Sequence, residues 1–163
     1  MDLNIRLLIK NQSINDIAEK CGFSRQKVWR VINNLEKNHT IWGYTALVDE
    51  EKLDKKGYTM LMRRSNKPVT KEIFNHITKR EIADRVKKMW VEFTDSTLTH
   101  GRYDWIIHFT ANNLKDAKNV VELYKKLYEG FFSKIYLLEK MFTAVSSGVT
   151  NPEIKRLNDF FKV

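Results

Sequence analysis

Apolar and polar positions follow two different rhythms along the chain. Up to Leu35 the apolar residues recur every three or four positions, which is the period of one face of an α-helix. From Tyr58 onward, β-branched and aromatic runs alternate with stretches of helical period. This order predicts an α+β protein with a helical N-terminal domain and a mixed C-terminal domain.

Residues 14–35 have the pattern of two short helices around a tight turn, a helix-turn-helix. Gly22 is the natural residue to end the first helix, because glycine accepts a positive φ without a Cβ clash. Ser24 can cap the second helix, since its hydroxyl accepts a hydrogen bond from a backbone N–H group. The predicted buried residues are Ile14, Ile17, Ala18 and Cys21 in the first helix and Val28, Val31, Ile32 and Leu35 in the second.

The opposite face of the second helix is polar and basic, which favours a DNA-binding function. Arginine, lysine, glutamine and asparagine reach base edges and phosphates in the major groove. In a helix-turn-helix, the first half of the second helix enters that groove. The predicted DNA-binding residues are Ser24, Arg25, Gln26, Lys27, Trp29, Arg30 and Asn33. An ordinary helical hairpin with a solvated basic face is the alternative interpretation.

The residue types divide these predicted contacts into two kinds. Phosphate contacts are expected mainly of Ser24, Lys27 and Arg30, and base contacts of Arg25, Gln26 and Asn33. For Trp29 two roles stay open. Its ring packs against a sugar or a thymine methyl group, or it is a surface aromatic that packs on a neighbouring side chain of its own helix.

The segments on either side of the helix-turn-helix complete the N-terminal half. Residues 2–10 predict a first helix that closes a three-helix bundle. Asn38 is the best candidate for the left-handed residue that ends the second helix. Residues 41–48 are β-branched and aromatic and predict a strand, as in a winged helix-turn-helix, and the charged residues 49–56 predict a hinge.

The C-terminal half predicts the order strand, helix, strand, strand, helix, strand. The strands are expected at residues 58–63, 90–99 and 103–111 and within 131–145, with helices from about Thr70 and after Asn112-Asn113. The second helix has Leu114, Ala117, Val121, Tyr124 and Leu127 or Tyr128 as its expected buried stripe. This is the ferredoxin-like βαββαβ plan, a four-stranded antiparallel sheet with two helices on one face. The uncovered face predicts a homodimer or a larger homo-oligomer.

Four regions therefore follow from the pattern: residues 1–40, a helix-turn-helix domain; 41–56, a strand and hinge; 57–145, a ferredoxin-like domain; and 146–163, a tail. The tail predicts a Ser-Ser-Gly hinge and then an amphipathic helix that Asn151 caps.

The net charge, the apolar runs and the cysteine count of the chain indicate which kinds of partner it can bind. The 163 residues carry a formal net charge of +9, which favours an acidic partner such as nucleic acid. A membrane surface fits that charge equally well, but no apolar run approaches the roughly 18 residues of a spanning helix. The single cysteine forms neither an internal disulfide nor a cysteine-based metal site. We therefore expect a cytoplasmic protein without membrane partner, metal or cofactor.

Several motifs resemble the Lrp/AsnC family, the leucine-responsive and asparagine-synthesis regulators of bacteria and archaea. They are the helix-turn-helix frame, Leu35-Glu36, the run Ile41-x-Gly43-Tyr44-Thr45-Ala46 before an acidic stretch, and Gly101-Arg102-Tyr103-Asp104. The resemblance covers about residues 3–145. It implies a transcription regulator that binds double-stranded DNA, and a C-terminal domain that oligomerises and binds a small effector.

The resemblance also implies where the effector binds. In the family, an amino acid lies near the Gly-x-Tyr-Asp turn, between dimers. The matching residues are Gly101, Arg102, Tyr103 and Asp104, with Leu114, Tyr136, Leu137 and Leu138 as the remaining pocket lining. Asp104 can accept an α-ammonium group, and backbone N–H groups at the Gly101 turn can hold a carboxylate. Alternatively, Gly101 only permits the turn, Asp104 only bonds to the local backbone, and the leucines of the fourth strand are core.

The chain departs from the family at several places, among them the short sequence ahead of the first helix and the tail beyond Val145. His39 stands near a usual glycine, Val31 stands where arginine is common, and residues 67–100 are longer than usual. Two rival functions remain: a sirohaem-decarboxylase-like enzyme on the same architecture, and a corepressor that does not bind DNA. The enzyme needs polar groups gathered in a pocket, and the four histidines are scattered along the sequence.

Overall fold

The computed structural model describes residues 13–161, and the helix predicted for residues 2–10 lies outside them. The chain forms two compact units, one that ends at Ala46 and one that begins at Leu47. No helix among the described residues is both long enough and apolar enough to cross a membrane.

The N-terminal unit contains helices α1 (Ile14–Cys21) and α2 (Arg25–Lys37). Ser13 caps α1: its hydroxyl accepts a hydrogen bond from the Asp16 backbone N–H, and the Asp16 carboxylate accepts one from the Ser13 backbone N–H. Gly22 ends α1 in the left-handed conformation, with φ 64°, as predicted. Ser24 caps α2 by accepting a hydrogen bond from the Lys27 N–H. The two helices bury Ile17, Ala18 and Val28 between them.

The end of α2 differs from the prediction. His39, not Asn38, has the left-handed conformation, with φ 58°, whereas Asn38 has φ −89°. His39 thus adopts a conformation that glycine accepts without strain. Residues 41–48 form no strand in the described structure, which corrects the predicted wing. A strand needs a hydrogen-bonded neighbour, and no described part of this chain pairs with the segment.

The C-terminal unit is built on one four-stranded antiparallel sheet. Its elements are β1 (Lys56–Arg64), α3 (Lys71–Thr78), α4 (Glu81–Lys87), β2 (Glu92–Leu98), β3 (Trp105–Ala111), α5 (Leu114–Leu127) and β4 (Phe132–Glu139). The strand order is β2-β3-β1-β4. The predicted ferredoxin-like plan is confirmed, with its first helix divided into α3 and α4. Arg80 divides it by adopting φ 54°.

The sheet has one covered face and one bare face. Tyr58, Met60, Met62, Ile107 and Phe109 are fully buried on the covered face, where they pack against the helices. The side chains that alternate with them lie on the opposite face, where Arg63, Lys134, Tyr136 and Leu138 are exposed. Near Gly57, at the other end of this face, the Glu50 and Lys140 side chains cover the sheet. This bare face presents Thr59, Leu61, Arg63, Asp95, Thr97, Ile106, His108, Lys134, Tyr136 and Leu138.

Two predictions for the rest of the unit are wrong in detail. The buried stripe of α5 includes Val120, which is fully buried, but not Leu114, which is 44% exposed. In the tail, Ser147 and Gly148 of the Ser-Ser-Gly segment form the turn of a short hairpin between β5 (Val145–Ser146) and β6 (Val149–Thr150). A 3-10 helix, Ile154–Asp159, follows in place of an α-helix. The tail contacts its own unit, where the Arg156 guanidinium pairs with the Glu51 carboxylate at 3.0 Å.

Candidate DNA-binding helix and effector site

One exposed stripe runs along α2 opposite the helix-turn-helix core. Gln26, Trp29, Arg30 and Asn33 are spaced i, i+3, i+4, i+7, so they share one side of the helix. Val28 on the buried side is fully inaccessible, whereas Trp29 is 55% exposed. We call these four residues the α2 stripe. Gln26, Trp29 and Arg30 are exposed, whereas Asn33 is half-buried, so the stripe presents one amide, a guanidinium and an aromatic ring fully to solvent.

The other predicted DNA-binding residues lie beside the α2 stripe. Arg25 occupies the first turn of α2 and is exposed. The Lys27 ammonium lies 3.7 Å from the centre of the Phe23 ring, so the side chain is directed back at the turn. The Ser24 hydroxyl already accepts the Lys27 N–H, which leaves its own O–H free to donate. Ser24, Arg25 and Lys27 therefore cluster at the N-terminus of α2.

Tyr44, part of the motif that resembles the Lrp/AsnC family, has a structural role that the sequence pattern does not indicate. The Tyr44 hydroxyl donates a 2.8 Å hydrogen bond to the Glu36 carboxylate, which fastens the segment after α2 to the last turn of that helix. Desolvation and this bond raise the pKa of Tyr44 above its ordinary value. Glu36 and Tyr44 are eight residues apart in the sequence, and that spacing alone does not predict a contact. The contact exists because the chain after α2 turns back along the helix.

The loop between β2 and β3 holds the predicted effector motif in a network of hydrogen bonds. The Asp104 carboxylate accepts a 2.7 Å hydrogen bond from the backbone N–H of Arg64, at the end of β1. The Asp104 N–H donates to the Met62 carbonyl, and the Thr99 hydroxyl donates to the Tyr103 carbonyl. Gly101 has φ 152°, a conformation that side chains rarely adopt. The loop is therefore tied to β1 across the sheet.

Part of the predicted pocket lining meets this loop. The rings of Tyr103 and Tyr136 form an edge-to-face pair with centroids 5.9 Å apart. The Arg102 guanidinium lies 5.9 Å from the Tyr103 ring centre. Tyr136 is 41% exposed on the bare face of the sheet, so the aromatic pair is open to solvent.

The remaining predicted lining residues lie elsewhere in this chain. Leu137 faces the helices and packs against the core. Leu138 lies on the bare face, opposite Thr59. Leu114 is the first residue of α5, and α5 follows the end of β3 that is far from the loop. The seven residues of β3, about 20 Å in length, therefore separate Leu114 from the loop. A single chain therefore does not gather the predicted lining residues into one pocket.

The other concave and titratable features of residues 13–161 contain none of the predicted site residues. One open depression of about 450 Å³ is lined by Val69, Thr70, Lys71, Phe74 and Asn75, away from every predicted site residue. His108 bonds to Thr59 and His76 bonds to Glu81. Within residues 13–161, no three histidine, cysteine or acidic side chains are grouped so that they could hold a metal ion.

Comparison with known proteins identifies the architecture. No protein-family model matches the sequence, and no curated protein matches it. Solved structures match over nearly the whole chain. The chain has the fold of the Lrp/AsnC regulators. Three of the matching structures carry that conclusion.

The feast or famine regulatory protein of M. tuberculosis, solved as a complex with L-methionine, has a TM-score of 0.65 and 12% identity, covering 91% of this chain and 95% of its own. E. coli AsnC has a TM-score of 0.60 and 15% identity, with coverages of 91% and 97%. An AsnC family transcriptional regulator from Agrobacterium tumefaciens has a TM-score of 0.59 and 17% identity, with coverages of 94% and 98%. The similarity confirms the predicted fold class and the resemblance at the level of the fold.

Proposed function

We propose that this protein is a sequence-specific DNA-binding transcription regulator of the Lrp/AsnC type. The exposed α2 stripe, on the second helix of a capped helix-turn-helix, is the observation that carries the proposal. In a two-fold dimer, two such helices enter successive major grooves. Gln26 and Asn33 read base edges, Trp29 packs on a sugar or a thymine methyl, and Arg30 holds a phosphate. The cluster of Ser24, Arg25 and Lys27 contacts the flanking backbone, and Arg25 also reaches a base edge.

The dimer of this proposal forms through the bare face of the sheet. Leu61, Ile106 and Leu138 give that face an apolar centre, and Leu138 is 49% exposed in the single chain. A second copy of the same face buries these side chains, and such isologous contacts are the commonest way in which soluble proteins dimerise.

The same proposal assigns effector binding to the loop of residues 101–104. L-Methionine is present in the M. tuberculosis structure of the same fold. In this chain, the free oxygen of the Asp104 carboxylate suits an α-ammonium group, and exposed loop N–H groups suit a carboxylate. Because one chain does not gather all of the predicted lining, the site is completed by a second copy.

Selection of bound fragments from random duplex DNA at about 150 mM salt tests the function, since this salt suppresses non-specific charge binding. We expect a two-fold symmetric motif with half-sites about one helical turn apart. The double variant Gln26→Ala/Arg30→Ala should lose enrichment. Lys118→Ala, which removes an exposed lysine of α5, should keep it. Equal enrichment by both variants would show that the α2 stripe is not the reading surface.

Two measurements on the same purified protein test the two rival functions. A corepressor would show no salt-dependent DNA binding. A sirohaem-type enzyme would show a haem-like absorption band in the purified protein. A transcription regulator among the solved structures of this fold favours the regulator.

A further inference from the structure

Two cations lie side by side at one end of the bare sheet face. Arg63, near the end of β1, is the direct cross-strand partner of Lys134 in β4. Both side chains point to the bare face, because the adjacent pair Met62 and Ile135 packs into the core on the other side. Like charges placed directly opposite each other across two strands repel and destabilise a sheet.

No acidic group in the described structure neutralises this pair. None of the ion pairs among residues 13–161 includes Arg63, Arg102 or Lys134. Arg64, the next residue of β1, differs from them, since its guanidinium lies 5.1 Å from the centre of the Phe131 ring. The Oδ2 atom of Asp104 accepts the Arg64 N–H, and the Asp104 carboxylate forms no ion pair with Arg63.

The pair is next to the loop of residues 101–104. Lys134 is two positions before Tyr136 on the same face of β4, and the Tyr136 ring contacts Tyr103 of the loop. In the described hydrogen bonding, the backbone N–H groups of loop residues 101–103 donate to no acceptor. Free N–H groups, an aromatic pair and two cations thus lie at the same end of the sheet, and we call this set of groups the effector row.

We propose that the effector row recognises an amino acid with an acidic side chain, of the L-glutamate or L-aspartate class; the inference rests on the proposed effector function of the loop. The loop N–H groups hold the α-carboxylate, and the second oxygen of Asp104 accepts the α-ammonium group. The methylene groups lie on the Tyr103 and Tyr136 rings. Arg63 and Lys134 receive the side-chain carboxylate, which removes their mutual repulsion.

Isothermal titration calorimetry of the full chain with matched ligand pairs tests the proposal. L-Glutamate and L-glutamine have the same shape and differ in one charge, as do L-aspartate and L-asparagine. We expect the better acid to bind at least about tenfold more tightly than its amide, because hydrogen bonds between two ionised groups are the stronger kind. Equal affinities for each acid and its amide, or no binding of either acid, would overturn the proposal.

Substitutions then test whether Arg63 and Lys134 cause the preference for an acid over its amide. Arg63→Ala/Lys134→Ala should abolish the difference between acid and amide, and so should Lys134→Glu, which keeps a long side chain and gives Arg63 an ionic partner. Lys118→Ala on α5 is the matched loss of an exposed lysine and should preserve the difference. An acid preference that survives in the double variant places recognition elsewhere and refutes the assignment.

A DNA-binding measurement on the same samples separates this inference from the function that it extends. Specific DNA binding together with tight binding of L-methionine or an amide would leave the regulator intact and refute the acidic ligand. Loss of specific DNA binding in every condition would refute the regulator, whatever the ligand results.

Discussion

The Asp104 carboxylate accepts a 2.7 Å hydrogen bond from the backbone N–H of Arg64. This bond joins residues 40 positions apart, so it fastens the loop before β3 to the end of β1. The loop contains the candidate effector motif, and β1 carries Arg63 of the cationic pair. One carboxylate therefore sets the position of the loop relative to the cations, and its second oxygen remains available for a ligand.

Asp104 thus has a structural and a proposed binding role, which two substitutions separate. Asp104→Ala removes the acceptor and should lower the free energy of unfolding by about 1–2 kcal/mol. Asp104→Asn keeps an acceptor oxygen but loses the charge, so it should cost less stability while it weakens amino-acid binding as strongly as alanine. Urea denaturation and calorimetric titration measure the two effects. Full ligand affinity in Asp104→Asn would exclude a charge contact with the α-ammonium group.

His39 ends α2 with φ 58°, a conformation that is strained for a residue with a Cβ. His39→Gly should relieve this strain and raise the free energy of unfolding of the N-terminal unit by about 0.5–1 kcal/mol. Asn38→Gly is the matched control: Asn38 has φ −89° and gains nothing from glycine. Thermal unfolding followed by circular dichroism compares the two. Greater stabilisation by Asn38→Gly would show that the helix ends one residue earlier than described.

His108 makes stability depend on pH. Burial lowers the pKa of His108 below the usual histidine value of about 6.5, and Lys140 lowers this pKa further, while Asp95 opposes them. The unfolded chain then takes up the proton at a higher pH than the folded chain. Stability should therefore fall as the pH drops below about 6.5 toward the folded pKa of His108. Urea denaturation at pH 7.5 and 5.5 measures the fall.

The contribution of His108 is isolated by substitution. His108→Gln should reduce the loss of stability between these two pH values, whereas His100→Gln, in the exposed turn after β2, should leave it as in the parent chain. The same loss in His108→Gln as in the parent chain would assign the pH dependence to other groups.

The proposed sheet-face dimer is tested by two leucines on opposite faces. Leu138→Glu puts a charge on the bare face, and it should shift the protein toward monomer because a buried, unpaired charge is costly. Leu98→Glu is the control: Leu98 is 68% exposed, but its register with Trp105 places it on the helix side of an edge strand. Sedimentation velocity measures both. A dimer that persists in Leu138→Glu and dissociates in Leu98→Glu would place the interface on the other face.

Arg30 and Lys27 should differ in their contribution to DNA binding, although the sequence suggested a phosphate contact for each. Arg30→Ala removes a guanidinium from the α2 stripe, so the slope of log affinity against log salt should decrease by about one unit. Lys27→Ala should change the slope less, because the Lys27 ammonium lies over the Phe23 ring. Titrations from 50 to 200 mM salt give both slopes. The larger change in Lys27→Ala would reverse this assignment.

Local signals in the sequence predicted the N-terminal helices well. Gly22 and Ser24 act on backbone groups within a few residues, and the period of Ile17, Ala18 and Val28 depends only on helix geometry. The strand predicted for residues 41–48 failed for the opposite reason. Its composition suits a strand, but a strand requires a neighbour, and composition does not say whether one is present.

The sequence by itself determined the order of helices and strands, the antiparallel ferredoxin-like plan and the residues of the α2 stripe, since each of these depends on spacing along a short stretch. Only the tertiary structure decided that Asp104 bonds to Arg64 and that Arg63 faces Lys134. Cross-strand partners are set by register, and a shift of one residue would send every side chain to the other face. Arg63 and Lys134 are 71 positions apart, so the sequence pattern did not predict that they pair. They are neighbours because β1 and β4 align at this register.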